Sequence, residues 1–458
     1  MIIERPRADA ASKKEKIILT GGTEGIGRAI ASELCHNNHE VVICARTQEK
    51  LEEMKYSNTL EAYQLDLNDT DKIDDFIKQG TARMNGLSLL ILNAAVSGIR
   101  ESKDYTYSVD CAAQKKLVES SADLLRDSKG RIVFITSPQA SQYIEGHEQY
   151  GHAKKEIEDW LQEFSEQDQN KNIHVFSVNP GQVDTRMNEE AINYGIPAIK
   201  ERSLRAKNEG KFRDPKIVGR IIAKMSLSGR KYNPKTDQYD IPIKNDEIVC
   251  LSDENIEMEK MEQVYSKLLD LARPFYEKGR VYDLDQINWM IKQINLYADK
   301  LGLDKKILMP LAILHDIGYA FVPSNNPDIK SQEIKRIHLT EGVKAAKKIL
   351  EEINYDPGLS KQILYFISVH DNWVFNDDEP YQKSKLLAFF NDLDFLFSMT
   401  DFQSFKYHGE SMGRPVEEMY DFWRNDEKLV RRPFCCPETA ALFEELMAAR
   451  KREVDALK

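Results

Sequence analysis

The sequence has few of the features that mark membrane or secreted proteins. Its longest apolar runs, residues 87–96 and 307–314, fall well short of the ~20 apolar residues that a membrane-spanning helix needs. Residues 1–16 carry charges of both signs and lack the apolar stretch of about 7–15 residues found in a secretory signal. We therefore expect no membrane partner and a cytoplasmic location.

Cysteine is scarce, and positive charge is not in excess. The six cysteines lie at positions 35, 44, 111, 250, 435 and 436, without C-x-x-C spacing. This pattern is typical of reduced thiols in a reducing compartment. The formal net charge is −11, whereas nucleic acids and anionic membranes select clustered lysine and arginine. We therefore predict small-molecule substrates and no nucleic-acid partner.

The chain of 458 residues is long enough for two domains, since a domain usually has about 100–200 residues. From residue 16, strand-like runs such as KIILT, HEVVICA and RIVFITS alternate with helical patterns. This alternation predicts a doubly wound α/β domain with a parallel sheet over residues 14–250. Beyond a Gly-, Pro- and Asn-rich segment, residues 228–252, apolar residues recur at helical spacing. They predict an all-α bundle over residues 256–458.

A glycine-rich turn follows the first strand. The pattern T-G-x-x-x-G-x-G runs from Thr20 to Gly27 and leads into a helix. Glycine lets the backbone approach a pyrophosphate closely, and the N–H groups at the start of the helix attract its negative charge. Such turns also serve ordinary strand–helix packing, so this motif alone leaves both interpretations open.

A second motif combines a tyrosine, a lysine and a serine. Tyr150 and Lys154 are four residues apart on one helix face, and Ser137 ends the strand RIVFITS. An ammonium close to a phenol lowers the phenol's pKa and helps it to exchange a proton near neutral pH. A hydroxyl at a strand end holds a carbonyl oxygen in place. A lone Y-x-x-x-K is more often a solvated pair.

These motifs, together with Asn93-Ala94-Ala95 and Asn179-Pro180-Gly181, occur in the order found in short-chain dehydrogenases/reductases. Residues 14–250 resemble that family. The resemblance implies a Rossmann fold, hydride exchange at C4 of a nicotinamide, and a homo-oligomer formed through this domain. It implies that Tyr150 is the acid/base, that Lys154 binds the nicotinamide ribose and that Ser137 orients the substrate. The implied cofactor-binding residues are Gly21, Thr23, Gly25, Ile26, Gly27, Arg46, Asp66, Asn93, Lys154, Pro180, Gly181 and Thr185.

The end of the second strand bears on the choice of cofactor. It reads Val-Ile-Cys-Ala-Arg46 and contains no acid. An acid there favours the ribose hydroxyls of NAD, and a base favours the extra phosphate of NADP. Arg46 therefore predicts NADP(H). Glu24, in the glycine-rich turn, argues against this because a carboxylate repels a 2′-phosphate, so NAD(H) stays possible.

One residue departs from the family pattern. Asp110 stands 27 residues before Ser137, where the family has an asparagine that completes a proton relay through Lys154. An ionised Asp110 would still hold the relaying water and would raise the pKa of Lys154. The segment from Asn93 to Asp110 is also shorter than usual. A non-catalytic reductase domain is the alternative.

Three histidines of the second half are placed near predicted helix ends. His315 is followed by Asp316, His338 opens the run HLTEGVKAAKKIL, and His370 ends the run KQILYFISVH. A lone histidine on an apolar helix is more often a core residue than a metal ligand. Three of them, joined by an adjacent His-Asp pair, predict a metal site.

This order resembles the HD-domain superfamily of metal-dependent phosphohydrolases, over residues 256–400. The family's last aspartate corresponds to Asp394, although periodicity alone leaves Asp392 open. Gln286 stands where the family has its first histidine, which weakens one of two metal sites unless Asp283 or Asp285 substitutes. The resemblance implies a divalent transition metal (Mn, Fe, Co, Ni or Zn). Its implied ligands are His315, Asp316 and Asp394 for one ion, and His338 and His370 for a second, with Asp316 bridging.

The leading hypothesis from the sequence is a bifunctional enzyme. One half is an NADP(H)-dependent oxidoreductase that interconverts carbonyls and alcohols, and the other is a metal-dependent phosphohydrolase. Two alternatives stay open. The second half is a di-iron oxygenase, or one of the two domains is a binding or oligomerisation module without chemistry.

Overall fold

The computed structural model describes residues 14–54, 57–142, 144–233, 238–280, 282–322 and 331–457. They form two compact units, which divide between residues 260 and 261. This division lies within the helix Asp253–Lys278. The limits 14–250 and 256–458 stay a prediction of where the functional domains begin and end.

The first unit is built on a parallel sheet of seven strands in the order β3-β2-β1-β4-β5-β6-β9. Two further strands, β7 and β8, form a separate antiparallel pair. The strands are β1 Lys16–Thr20, β2 Glu40–Ala45, β3 Leu60–Gln64, β4 Leu89–Leu92, β5 Arg131–Ile135, β6 His174–Asn179, β7 Arg230–Asn233, β8 Gln238–Pro242 and β9 Ile248–Cys250.

Apolar side chains bury both faces of this sheet. Along β1, Ile17 and Leu19 belong to one hydrophobic cluster, whereas Ile18 belongs to another. Successive side chains of a strand point to opposite faces, so a continuous apolar run is what a strand covered on both sides requires. The predicted doubly wound Rossmann fold is confirmed. The helices of this unit are α1 Gly25–His36, α2 Gln48–Glu52, α3 Ile73–Met84, α4 Lys103–Tyr107, α5 Ala113–Ser128, α6 Glu148–Glu166, α7 Arg186–Tyr194, α8 Pro197–Asn208 and α9 Pro215–Ser228.

The strand order fixes where a ligand can bind. The chain runs outward from β1 through β2 to β3, and then returns to place β4 on the other side of β1. Where the order reverses, the loops after the two central strands separate and leave a crevice at the carboxyl edge of the sheet. The glycine-rich turn follows β1, and Asn93 follows β4.

The described residues of the second unit form helices joined by turns and loops and include no strand, which confirms the predicted all-α class. No described helix combines the length and the apolar composition needed to cross a bilayer. The helices, of which α10 contains the division between the units, are α10 Asp253–Lys278, α11 Asp283–Leu301, α12 Lys305–Leu314, α13 Gln332–Glu352, α14 Pro357–Val369, α15 Glu379–Lys383, α16 Lys385–Phe397, α17 Phe402–Ser411, α18 Val416–Arg424, α19 Lys428–Arg431 and α20 Pro437–Asp455.

A buried ion pair joins α16 to the C-terminal helices. Asp392 accepts a hydrogen bond from the Nζ of Lys428, and the two side chains are 2% and 1% exposed. The same carboxylate accepts bonds from the backbone N–H of Cys435 and the hydroxyl of Thr439, each at 2.8 Å. A buried charge is tolerated only when it is paired and hydrogen-bonded. Asp392 is therefore a structural residue.

Removing one member of this pair leaves the other as an unpaired charge in the core. We expect Asp392→Ala to lower the free energy of unfolding by about 3–5 kcal/mol, because Lys428 keeps its desolvation cost and loses its partner. Chemical unfolding followed by circular dichroism measures the change. Glu444→Ala breaks the exposed ion pair with Arg424 and is the control, with an expected loss of at most about 1 kcal/mol. Equal losses in the two variants would contradict this role of Asp392.

Candidate nucleotide cleft and candidate metal centre

The turn between β1 and α1 requires glycine. Gly21 and Gly25 have φ angles of +67° and +51°, a left-handed conformation that side chains disfavour. A Cβ placed on Gly27 would lie 2.1 Å from the carbonyl oxygen of Gly21. The turn therefore brings bare backbone to the start of α1, where N–H groups point outward and attract anions.

A cleft of about 360 Å³ lies at this edge of the sheet. Every cofactor-binding residue that the sequence suggests lines it, as do Ser137 and Tyr150. The predicted residues along the cleft are Gly21, Thr23, Gly25, Ile26, Gly27, Arg46, Asp66, Asn93, Ser137, Tyr150, Lys154, Pro180, Gly181 and Thr185.

Asn93 ties the loop after β4 to the loop after β1. Its Nδ2 donates to the carbonyl oxygens of Thr20 and Gly21, at 3.0 and 3.1 Å. The backbone N–H groups of Asn93 and Ala94 both donate to the hydroxyl of Thr20, at 3.0 Å. These four bonds hold the glycine-rich turn against the neighbouring strand end, so the cleft is set before any ligand arrives.

Ser137, Tyr150 and Lys154 lie together in the cleft. The side chain of Tyr150 is buried, and burial, reinforced by the charge of Asp110, raises its pKa, while a hydrogen bond from Ser137 lowers it. Burial also lowers the pKa of Lys154 to about 8, against the opposing charge of Asp110. The Nζ of Lys154 donates to the carbonyl oxygen of Ile135 at 2.8 Å. Since Lys154 follows Tyr150 by one turn of α6, its ammonium lies 5.7 Å from the phenol ring centroid.

Asp110 lies on a π-helical turn, Ser108–Ala112, and has no exposed surface. Its Oδ1 accepts the N–H of Val96 at 2.8 Å, whereas its Oδ2 has no hydrogen-bond partner among the described residues. Burial raises the pKa of Asp110 to about 7, although the charge of Lys154 lowers it. The expected effect of Asp110 on Lys154 is present, but desolvation outweighs it and the pKa of Lys154 falls.

The end of the cleft beside Arg46 and Asp66 holds a network that the sequence did not reveal. Arg46 Nη1 donates to the hydroxyl of Tyr105 at 2.8 Å, and that hydroxyl donates to Asp66 at 3.0 Å. Nearby, Glu24 forms ion pairs with Lys50 at 2.6 Å and with Arg186 at 3.7 Å. The negative charge of Glu24 is therefore balanced by two cations.

Helices α7 and α8 complete the substrate end of the cleft. The sequence offered no function for the segment after Thr185, yet Glu190 and Arg202 line the cleft beside His147 and Gln139. Glu190 accepts hydrogen bonds from Ser97 and Arg186, at 3.1 and 3.2 Å. Arg202 lines the cleft and forms no ion pair within 4 Å with another described residue.

In the second unit, the three histidines converge on Asp316. Asp316 Oδ1 lies 3.3 Å from His338 Nε2 and 3.4 Å from His370 Nε2, and the two Nε2 atoms are 3.3 Å apart. Asp316 Oδ2 lies 3.4 Å from His315 Nε2, which is 3.9 Å from Asp394 Oδ1. Three buried ligand atoms, one each from Asp316, His338 and His370, therefore lie within 4.8 Å of one another, close enough to bind one metal ion.

Backbone carbonyls fix the orientation of two of these rings. His315 Nδ1 is 3.1 Å from the oxygen of Ala312, and His370 Nδ1 is 2.8 Å from that of Ile367. A carbonyl oxygen only accepts, so each Nδ1 carries a proton, and Nε2 is the nitrogen of each ring that is left to coordinate a metal. His315 Nε2 is buried without a hydrogen-bond partner among the described residues. This donor set fits a divalent transition metal.

The structure brings Asp394, not Asp392, to this cluster. Gln286 Nε2 donates to Asp394 Oδ1 at 2.6 Å, which places Gln286 beside the predicted first site. Asp283 forms an ion pair with Arg280 at 2.8 Å. The predicted position of His338 at a helix start is wrong, because α13 begins at Gln332, where the hydroxyl of Ser331 accepts the N–H of Ile334.

Comparison with known proteins matches each unit to a family model. The model described as short chain dehydrogenase matches residues 15–193, and the model described as HD domain matches residues 289–386. The chain joins a short-chain dehydrogenase/reductase domain to an HD domain.

Relatives match the short-chain dehydrogenase/reductase domain. An uncharacterized oxidoreductase of Staphylococcus epidermidis is 26% identical over 190 residues, which are 39% of this chain and 83% of that protein. A dehydrogenase/reductase SDR family member of Xenopus tropicalis is 24% identical over 222 residues, 43% of this chain and 71% of that protein.

Solved structures align with about half of the chain. A short-chain dehydrogenase/reductase from Saccharomyces cerevisiae has a TM-score of 0.47 and 19% identity, over 53% of this chain and 98% of that chain. An alcohol dehydrogenase from the archaeon Thermococcus sibiricus, complexed with 5-hydroxy-NADP, has a TM-score of 0.42 and 17% identity, over 52% of this chain and 96% of that chain.

Two cations of the HD domain also escaped the sequence analysis. Lys335 Nζ donates to the hydroxyl of Tyr319 at 2.6 Å and to the carboxylate of Asp371. The ring of Tyr319 stacks on that of His338, with centroids 4.0 Å apart. Arg280 lies over the same tyrosine, 4.3 Å from its centroid. The spacing of Lys335 and His338, three residues apart on one helix, is the signal that could have placed Lys335 near the site.

The environment of Asp110 predicts a shift in the pH dependence of reduction. The charge of Asp110 raises the pKa of Lys154, so removing it lowers that pKa below its present value of about 8. Lys154 then loses its proton at a lower pH. We expect Asp110→Asn to move the alkaline fall in kcat/KM to lower pH, measured by NADPH oxidation with a carbonyl substrate found by screening.

Asp123→Asn is the control, because Asp123 is exposed on α5 and its charge is screened by solvent. Its profile should match that of the unmodified protein. An alkaline limb that stays in place, or moves to higher pH, in Asp110→Asn would show that Asp110 does not support the charge of Lys154.

Proposed function

We propose that the chain is a bifunctional enzyme, with an NADP(H)-dependent oxidoreductase in residues 14–250 and a metal-dependent phosphohydrolase in residues 256–458. The observation that carries the first activity is the grouping of Ser137, Tyr150 and Lys154 beside the glycine-rich turn, within one cleft. The second rests on the converging donors of Asp316, His338 and His370.

In the oxidoreductase, some residues bind the substrate or the cofactor, and one residue transfers a proton. The nicotinamide, when bound, supplies or accepts the hydride. Ser137 hydrogen-bonds the carbonyl oxygen of the substrate, and Tyr150 gives that oxygen its proton as the negative charge develops. Lys154 holds the nicotinamide ribose, and its positive charge favours the phenolate that Tyr150 becomes. In the oxidative direction Tyr150 takes the proton from the alcohol.

The preference for NADP(H) is supported by the charges at the end of β2. Arg46 and Lys50 both line the cleft there, and both are exposed enough to meet a phosphate. Glu24, which the sequence set against NADP(H), is paired with Lys50 and Arg186. Its repulsion of a 2′-phosphate is therefore reduced, while a planar guanidinium is suited to bind phosphate through two hydrogen bonds.

For the phosphohydrolase, the candidate ligands are His315, Asp316, His338, His370 and Asp394. A bound divalent metal supplies a Lewis acid for the phosphoryl oxygens and a hydroxide for attack. Lys335 lies on α13 one turn before His338 and forms an ion pair with Asp371. Arg280 and Lys335 lie 4.3 and 5.3 Å from the centroid of the Tyr319 ring. These cations favour an anionic substrate over a neutral one.

Arg46→Ala tests the cofactor preference. A charge-assisted hydrogen bond to the 2′-phosphate contributes about 1.5–3 kcal/mol, so we expect NADPH binding to weaken about 10–100-fold while NADH binding changes less than about threefold. Titration of nucleotide fluorescence measures both. Arg83→Ala, which removes only an exposed ion pair with Glu61, should alter neither affinity. Equal losses of NADPH and NADH would reject the role of Arg46 in selecting the phosphate.

Two substitutions test whether the activities are separate. Tyr150→Phe removes the transferred proton, so we expect NADPH-dependent reduction to fall by at least about 100-fold with NADPH still bound. His370→Ala removes a metal ligand, so hydrolysis of a phosphomonoester and bound metal should both be lost, with reduction unchanged. Assays of both reactions on both variants measure this. A protein that binds neither nucleotide nor metal would overturn the proposal.

A further inference from the structure

We propose that the HD domain holds a single metal ion, at Asp316, His338 and His370, because Arg280 places a positive charge near the carboxylate oxygens that a second ion would need and Gln286 hydrogen-bonds to one of them. This inference rests on the proposed metal-dependent function of the HD domain. It concerns which of the two implied sites is used, and therefore which reaction the domain is able to perform.

The two oxygens of Asp316 face different surroundings. Oδ1 lies within 3.4 Å of the Nε2 atoms of both His338 and His370. No lysine or arginine lies within 4 Å of Oδ1 in the described part of the chain. The ammonium of Lys335 is paired with Asp371, whose Oδ2 lies 3.7 and 3.6 Å from the same two Nε2 atoms. With three donor atoms around one point, this side has the ligands for one divalent ion.

The other oxygen faces a cation that belongs to the protein. Asp316 Oδ2 lies 3.4 Å from His315 Nε2 and 3.9 Å from Arg280 Nη1. The same guanidinium lies 2.8 Å from Asp283, whose side chain has no exposed surface. Arginine keeps its charge at any ordinary pH. Arg280 therefore supplies positive charge on the side where the first metal ion is implied, and a second cation there would be repelled.

The last implied ligand of the first site is also engaged. Gln286 Nε2 donates a hydrogen bond of 2.6 Å to Asp394 Oδ1. That is the oxygen that faces His315, at 3.9 Å. A histidine at position 286 would offer a lone pair to a metal, whereas the amide N–H of glutamine uses up a lone pair of Asp394 instead. The first site therefore lacks a histidine ligand at position 286, and Oδ1 of its ligand Asp394 already accepts a hydrogen bond.

The two sides of Asp316 therefore differ in kind. Asp316 Oδ1 faces the Nε2 atoms of two imidazoles. On the other side, Asp316 Oδ2 lies 3.9 Å from Arg280, and Asp394 Oδ1 accepts a hydrogen bond from Gln286. Two imidazoles and one carboxylate leave coordination positions open for water and substrate. A centre with one ion does not provide the adjacent pair that the di-iron oxygenase hypothesis requires. The one-metal centre thus favours, between the two sequence hypotheses, the hydrolytic one.

The test counts metal ions in the full-length protein. The protein is freed of metal, dialysed against saturating Mn²⁺ alone, and analysed for manganese and protein. We expect one ion per chain in the unmodified protein, none in His370→Ala and two in the double variant Arg280→Met/Gln286→His, which removes both obstacles. Arg280→Met/Gln293→His, which alters a buried glutamine two turns along the same helix instead, is the matched control and should still bind one.

Electron paramagnetic resonance of the Mn²⁺-loaded unmodified protein gives a second readout that needs no variant. A lone ion gives a resolved six-line pattern, and two ions that share Asp316 give a coupled spectrum. Two ions in the unmodified protein, or one in folded Arg280→Met/Gln286→His, would overturn the inference while leaving the metal-dependent function standing. No bound ion at all would overturn the proposed function of the HD domain itself.

Discussion

Both candidate sites depend on the cost of removing charge from water. In the reductase domain, Asp110 and Lys154 are both buried, and each moves the pKa of the other toward the charged form while burial opposes it. In the HD domain, Asp316 and Asp371 are buried and are surrounded by imidazole, guanidinium and ammonium groups. Charges placed in this way interact far more strongly than they would at the surface. The chemistry at each site follows from how these charges are balanced.

The same cost separates structural from functional aspartates. Asp392 and Asp394 lie two residues apart on α16, yet the first is bonded to Lys428 and Thr439, and the second faces His315 and Gln286. An aspartate whose oxygens are all satisfied by the protein has nothing to offer a ligand. Asp394 Oδ1 lies 3.9 Å from His315 Nε2 and accepts a hydrogen bond from a neutral amide rather than from an ammonium.

Much of the fold was predictable because it depends on local periodicity. Strands β1, β2, β4 and β5 contain continuous apolar runs, and α11 follows apolar residues at helical spacing, so both classes of domain were correctly predicted. The start of α13 was not, since it depends on the cap formed by Ser331, seven residues before His338. The π-helical turn that carries Asp110 has no sequence pattern of its own.

Only those residues of the candidate sites that belong to sequence motifs could be predicted. Family motifs named the residues that line the cleft and the histidines around Asp316, and their roles stay proposals. The partners that decide their charge came from elsewhere in the chain. Lys50 meets Glu24 across 26 residues, and Lys335 meets Asp371 across 36. Contacts of this range arise from packing and leave no trace in spacing, so periodicity could not have found them.

The carbonyl groups that hold His315 and His370 belong to the main chain near the ends of α12 and α14. Helix ends leave such carbonyls without an internal partner, so the protein uses an existing acceptor instead of adding an outer-shell carboxylate. Every amino acid carries this carbonyl, so the acceptor itself does not depend on the side chains at positions 312 and 367. Those side chains are constrained by the hydrophobic core in which both are buried, whereas the orientation of the imidazoles depends on where the two helices end.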